Sequence, residues 1–329
     1  MSSLVLRTVV DPIGLQDLSA HSPPIALLLH KTLMETLSAH CILVVSNEHE
    51  QQMLVAEIKS LPQGIRERWA AIFPLLRVDR LNLENGIENV LSIEDVRRDY
   101  KDLVDVIGCE EARAELLGLP PSDPSMIDPA SNIELTRLIA FSESERMTEA
   151  ASIAHSEVFA GENREDVWKK RFETLAMHSK HVTITDRYAL SDLSRASSGI
   201  RWFLEKLSQS KVQTVNLICG DSEVDPRMGE QMLRVELSRL PKHYGGISSL
   251  QLTIVADEKF RQAHGRYIRF DNSHVFLVEP GFDCFSKKKF RQTFPCPMVS
   301  SRQQAQRESD LAQVHLLRVT LSRQQTKSS

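Results

Sequence analysis

Apolar positions along the chain follow two periods, and each period predicts its own kind of element. Short unbroken apolar runs cover residues 4–10, 41–45, 214–219 and 250–255, and β-branched residues fill 181–184. Runs of this length bounded by turn residues predict buried strands, and residues 75–78 read as a shorter one. Across residues 24–37, Ile25, Leu28, Leu29, Leu33 and Leu37 recur at helical spacing. The same period predicts helices over 48–59, 65–73, 93–106, 110–117, 197–207 and 225–240. An amphipathic helix over 163–179 buries Val167, Trp168, Phe172, Leu175 and Ala176, and good helix formers predict helix through 132–155. Residues 266–270 and 274–278 predict a hairpin closed at Asp271-Asn272-Ser273, residue types that tolerate a tight turn. Four prolines in GLPPSDPSMIDPAS predict a long loop over 118–131.

Strands alternating with helices predict an α/β protein. The expected division is an N-terminal α/β or α-rich domain over 1–179, an α/β sandwich over 180–299, and a C-terminal tail over 300–329. The apolar stretch at 311–321 forms a last helix or strand of that tail.

Composition narrows the function classes. At 329 residues the chain is long enough for two domains, and 41% hydrophobic with 26% charged residues is ordinary for a globular protein. A net charge of -4 gives no whole-molecule attraction to nucleic acid or anionic membrane, so such contact requires a local patch. The run Ser286, Lys287, Lys288, Lys289, Phe290, Arg291 is a candidate patch for phosphates, with a solvated face as the plainer reading. Five widely spaced cysteines with no C-x-x-C argue against a disulfide framework or zinc knuckle and suggest a reducing cytoplasm. The N-terminal MSSLVLRTVVDPIG lacks the charged and apolar regions of a signal peptide, and no apolar run approaches the roughly 20 residues of a membrane span.

Two groups of residues carry candidate chemistry. Asp11 and Glu48 follow successive predicted strands, where open α/β sheets place ligands. With Glu57 they would offer carboxylate oxygens to Mg2+ or Mn2+, as in the compact metal nucleases called PIN-like domains. The alternative is turn opening by Asp11-Pro12 and helix capping around Ser46, Asn47 and Glu48. In the C-terminal half, His264-x-Arg266-x4-Asp271 matches the H-x-K-x4-D phosphodiesterase spacing, with Arg in the Lys position. There His264 would attack phosphorus, Arg266 would grip the phosphate and Asp271 would orient an imidazole.

Residues 181–284, roughly a third of the chain, resemble the phospholipase-D-like C-terminal domain of proteins that carry an N-terminal microtubule-interacting-and-trafficking domain. The matching pieces are the strand ending at Asp186, the helix SGIRWFLEKL, the strand TVNLIC, and HGRYIRFDNSHVFLVEPGFDCF. The family has an H-D-R-x-I block followed by G-L-D-x-F. Gly265 stands here in place of the Asp, whereas Gly281, Phe282, Asp283 and Phe285 fit the second block. No three-helix trafficking module precedes it. The resemblance implies a phospholipase-D-like sandwich, with Asp186 and Asp283 in structural roles. Related bacterial domains imply a setting in antiviral defence, with nucleic acid or other defence proteins as partners and membrane contact less favoured. One H-x-R block per chain supplies one histidine, so catalysis would need a homodimer sharing a site. Arg for Lys, and Pro280-Gly281-Phe282-Asp283 where Gly-Ser-x-Asn is usual, point instead to a degenerate domain that binds phosphate without turnover. The remaining readings are a nuclease or phosphodiesterase, and a dimeric scaffold for protein or membrane partners.

Overall fold

The structure, a computed structural model, describes residues 3–221, 226–241, 246–262, 265–271, 274–299 and 301–323. The chain forms two compact units, residues 1–153 and 154–329, each with its own mixed sheet. The division falls 26 residues before the expected 179/180 boundary, so the helices of 163–179 belong to the second unit.

The first unit runs β1 (Leu6–Val10), α1 (Gly14–Ser19), α2 (Pro23–His40), β2 (Cys41–Val45), α3 (Glu48–Ser60), α4 (Gln63–Ile72), β3 (Val78–Arg80), α5 (Ile93–Asp99), β4 (Val106–Cys109), α6 (Glu111–Leu116), β5 (Ser125–Ile127), β6 (Glu134–Arg137) and α7 (Glu145–His155). Its sheet has the order β3-β2-β1-β4-β6-β5, parallel except where β5 meets β6. Side chains alternate across each strand, which divides the core in two. Leu6, Val10, Leu43 and Val106 pack with Leu33, Leu54 and Trp69 on one face. Val9, Val44, Ile107 and Cys109 pack with Val96, Tyr100 and Ala114 on the other. Helices therefore cover both faces of a doubly wound sheet. The start of α3 follows the expected capping: Asn47 Oδ1 accepts from Glu50 N at 3.0 Å, and Glu50 reaches back to Ser46 N at 2.8 Å.

The expected helix over 93–106 stops at Asp99, and β4 follows. The expected helix over 132–155 is instead β6, a 3-10 turn and α7. The proline-rich loop contains β5.

The second unit runs β7 (Glu157–Val158), α8 (Arg164–Arg171), α9 (Glu173–Met177), β8 (His181–Thr185), α10 (Ala189–Leu193), α11 (Gly199–Ser208), β9 (Thr214–Gly220), α12 (Pro226–Arg239), β10 (Ser249–Val255), α13 (Asp257–Gln262), β11 (Tyr267–Phe270), β12 (His274–Leu277), β13 (Phe294–Pro295), β14 (Met298–Val299), α14 (Ser301–Gln313) and β15 (His315–Ser322). The main sheet has the order β14-β12-β11-β8-β9-β10-β15, with β8, β9 and β10 parallel and the outer strands antiparallel. One face carries an aromatic core in which Phe172, Phe203, Phe276 and Phe285 meet at centroid distances of 4.7–6.3 Å. The opposite face is covered by α13 and α14 through Phe260 and Leu311, which pack on Ile218 and Val255. The segment expected as a tail is thus structural through residue 323: α14 is joined to β11 by an ion pair between the half-buried Arg269 and the buried Glu308, and β15 pairs along β10.

Candidate functional site

The parallel strand β8 ends at Thr185, Asp186 follows it, and this end of the sheet holds a cavity of about 520 Å3. Its walls include Arg187, Tyr188, Arg266, Tyr267, Leu277 and Glu279. A neighbouring hollow of about 300 Å3 is lined by Asp186, Tyr188, Asp192, Arg195, Arg266 and Asp283. Arg266 and Tyr188 therefore stand between the two.

Asp186 is the structural centre. It is 3% exposed, and its carboxylate accepts from Tyr188 N and Phe282 N, both at 2.9 Å. Arg266 Nε lies 3.6 Å away. Burial pushes this carboxyl above the usual carboxylate range, while the two N–H donors and the guanidinium pull it back. The Phe282 bond fixes the loop after β12, where Gly281 has φ 87. A Cβ on Gly281 would stand 2.9 Å from Arg266 Cδ and 3.1 Å from Asp186 Oδ2, so glycine is required by both conformation and space. A close approach of the same loop to α11 demands Gly199, whose Cβ would overlap Phe282 O.

Two guanidinium groups face the Tyr188 ring, Arg187 Cζ at 5.0 Å and Arg266 Cζ at 5.5 Å from its centroid. Asp257 pairs with Arg187 through both carboxylate oxygens, and Asp221 Oδ1 accepts from Asp257 N at 2.9 Å. Arg266 also donates to Glu279 O. These contacts set the planes of the two guanidinium groups, each of which carries five donors in a fixed fork.

The structure redistributes the residues singled out in the sequence. Arg266, Asp186 and Asp283 meet around the smaller hollow. Asp283 is exposed, 3.9 Å from Arg195. His264, with Asn272 and Ser273 of the hairpin turn, lies outside the described residues. Asp271 does not line either cavity. Its Oδ1 accepts from Lys180 N at 3.2 Å and His181 N at 2.8 Å, at the start of β8, whereas Arg266 lies by its end. Because β11 runs antiparallel to β8, these two members of the H-x-R-x4-D spacing stand beyond opposite ends of the strand. Their sequence spacing therefore does not bring Arg266 and Asp271 to one site; the imidazole beside Asp271 among the described residues is that of His181, whose Nδ1 lies 3.5 Å from Asp271 Oδ1.

Lys287, Lys288 and Lys289 are exposed, on a segment whose backbone is tied down: Arg164 N donates to Lys288 O at 3.0 Å, and Phe290 N to Glu162 O at 3.1 Å. Phe290 is buried against Phe285 and Phe294, so the lysines project from an anchored edge.

In the first unit, the expected metal ligands are otherwise engaged. Asp11 is fully buried, and its Oδ2 accepts from Arg113 Nε at 2.6 Å. Glu48 is exposed beside Arg80 at 3.7 Å, and Glu57 accepts from Gln16 at 2.7 Å. Among the described residues no group of three or more His, Cys, Asp or Glu side chains is placed to hold a metal ion. The turn-and-cap alternative describes these acids: Asp11 Oδ1 accepts from Ile13 N at 3.2 Å, and Glu48 begins α3. Arg113 and Tyr188 were not singled out in the sequence; their roles arise from the long-range partners Asp11 and Arg266.

No family model matches the chain, and a search of curated proteins found no similar sequence. Among the described residues no helix is long and apolar enough to cross a membrane.

Proposed function

We infer that the second unit binds a phosphate-bearing polymer, single-stranded nucleic acid, without cleaving it. The observation that supports this most directly is the pair of guanidinium groups, Arg187 and Arg266, arranged around Tyr188 in one cavity wall. An aromatic ring offers a stacking surface to any base, and oriented guanidinium forks suit phosphate oxygens. A volume of about 520 Å3 is in the range of small-ligand sites and admits a nucleotide unit, not a duplex. The anchored Lys287, Lys288 and Lys289 supply further cations for flanking phosphates. On this reading the unit is a degenerate phospholipase-D-like sandwich, and a setting in antiviral defence is what the resemblance would add to it.

The test is fluorescence anisotropy of a labelled single-stranded oligonucleotide with the intact chain, in EDTA, followed by electrophoresis of the oligonucleotide. The expected result is binding that weakens at least about tenfold in Arg266→Ala, by loss of charge-assisted contacts, with the oligonucleotide intact. Equal binding by Arg266→Ala and the unaltered chain, or cleavage abolished by His264→Ala, would overturn it.

A further inference from the structure

We propose that the outer edge of β15 is the surface through which two copies of this chain pair, strand against strand, about a two-fold axis centred on Val319. β15 ends the seven-stranded sheet, with β10 its one strand neighbour among the described residues. It contains no proline or glycine, and every residue in it is half-buried or exposed. Leu316 is 56% exposed. An edge of this length without a proline or glycine is a template for pairing.

The register with β10 decides what the edge presents. Arg323 N donates to Ser248 O at 2.9 Å, and the ladder sets Leu321 opposite Leu250, Val319 opposite Leu252 and Leu317 opposite Ile254. Alternation in an antiparallel ladder then turns the N–H and C=O groups of Leu317, Val319 and Leu321 toward β10. Those of Arg318, Thr320 and Ser322 turn outward. Side chains alternate across the sheet as well. Leu317, Val319 and Leu321 share the face of Leu250, Leu252 and Ile254, which α12 covers: a Cβ on its Gly229 would touch Leu252 and Ile254. The ladder becomes irregular between Ile254 and Val255, so residues 317–322 form the regular part.

Self-complementarity selects a second copy as occupant. Opposed residues in an antiparallel pair share a face. An axis through Val319 opposes Leu317 to the partner's Leu321, Val319 to the partner's Val319, and Arg318 to the partner's Thr320. Three half-buried apolar side chains per chain then meet their like, and each arginine meets a hydroxyl. An axis through Arg318 would instead oppose two arginines, and one through Thr320 would set Leu317 against the partner's Arg323. With the axis on Val319, its pair is non-hydrogen-bonded, with Cα atoms about 4.5 Å apart, while Arg318 and Thr320 exchange the outward hydrogen bonds. The α12 helices of both copies then lie on one face of a continuous sheet, each with Val235 49% exposed. This pairing is independent of the anion-binding reading.

The test is light scattering coupled to size exclusion on the full chain over a concentration series. The unaltered chain is expected to show a dimer of the 37.3 kDa protomer. Thr320→Lys faces the partner's Arg318 twice per dimer and should raise the dissociation constant about tenfold, whereas Thr320→Glu should not raise it. Under oxidation, Val319→Cys should give a disulfide-linked dimer and Leu317→Cys should not, since that short Cα separation is within disulfide range only at the axis. A monomer at all concentrations, equal effects of lysine and glutamate at 320, or cross-linking by Leu317→Cys in place of Val319→Cys would overturn the proposal.

Discussion

Arg113 donates from Nε to Asp11 at 2.6 Å in a place where Asp11 is wholly enclosed and Arg113 nearly so. The pair stands where β1 ends, beside β4, the point at which the strand order of the first sheet reverses. Open α/β sheets commonly receive ligands there. In this chain the arginine fills the position, and its Nη1 donates to Val90 O at 3.0 Å. The first unit is thus closed by an internal ion pair at the location its topology would give to a ligand.

That pair makes a stability prediction. Asp11→Ala leaves a buried guanidinium without its carboxylate and should lower unfolding free energy by about 3–5 kcal/mol. The double variant Asp11→Ala with Arg113→Met should recover part of the loss, because the unpaired charge goes with it. Urea denaturation measures both; no recovery in the double variant would contradict the ion-pair account.

His30 predicts a pH dependence. It is fully buried, accepts from Trp69 Nε1 at 3.1 Å, and burial lowers its pKa to about 4. The unfolded chain takes up this proton near the ordinary value of about 6.5, and the folded chain does not. Stability from neutral His30 is therefore complete above about pH 6.5 and is lost as pH falls toward 4, by at most about 3 kcal/mol. Denaturation midpoints for the unaltered chain and His30→Phe, measured between those pH values, should converge as acid is added. Parallel curves would rule out His30 as the source.

Gly281 joins the second unit's fold to its cavity. Gly281→Ala forces a side chain into a φ of 87 and against Arg266 and Asp186. The expected cost is about 1–3 kcal/mol, together with weakened oligonucleotide binding. A variant of unchanged thermal midpoint would show that this loop relaxes without strain.

Burial separates two ion pairs of the second unit. Arg269 and Glu308 are 16% and 8% exposed, while Arg195 and Asp283 are 55% and 53% exposed. Glu308→Ala should destabilise by about 3 kcal/mol, and Asp283→Ala by less than about 0.5. Chemical denaturation of the two variants side by side checks the ordering.

Much of this fold was legible where local pattern and packing agree. β2 is an unbroken apolar run buried on both faces, and α11 has a clear apolar side with Ser198 accepting from Arg201 N at 3.0 Å as its cap. β6 was hidden because its residues, Glu-Leu-Thr-Arg, are mostly polar and are buried by distant partners. Glu134 accepts from the N–H groups of Glu145 and Arg146 at the start of α7, and Arg137 meets Glu111. β4 was absorbed into a helical period because Tyr100 and Val104 continue the four-residue spacing of Val96 up to the edge of the strand. The unit boundary was misplaced for a related reason: Trp168 and Phe172 mark a buried helix face, and nothing local says which core receives it. At the candidate site, Arg266 was visible through its motif. The separation of Asp271 from Arg266 was not visible there, because antiparallel pairing sends the two ends of β11 to opposite ends of β8.

The central claim is that cationic side chains of the second unit hold a nucleic-acid backbone. Its most direct measurement is the slope of log affinity against log salt for a single-stranded oligonucleotide, comparing the unaltered chain with the triple variant Lys287→Ala, Lys288→Ala, Lys289→Ala. Each phosphate contact removed should flatten the slope by about 0.7, so the variant should bind more weakly and lose up to about 2 from the slope. An affinity indifferent to salt, or identical slopes for the two proteins, would contradict the account.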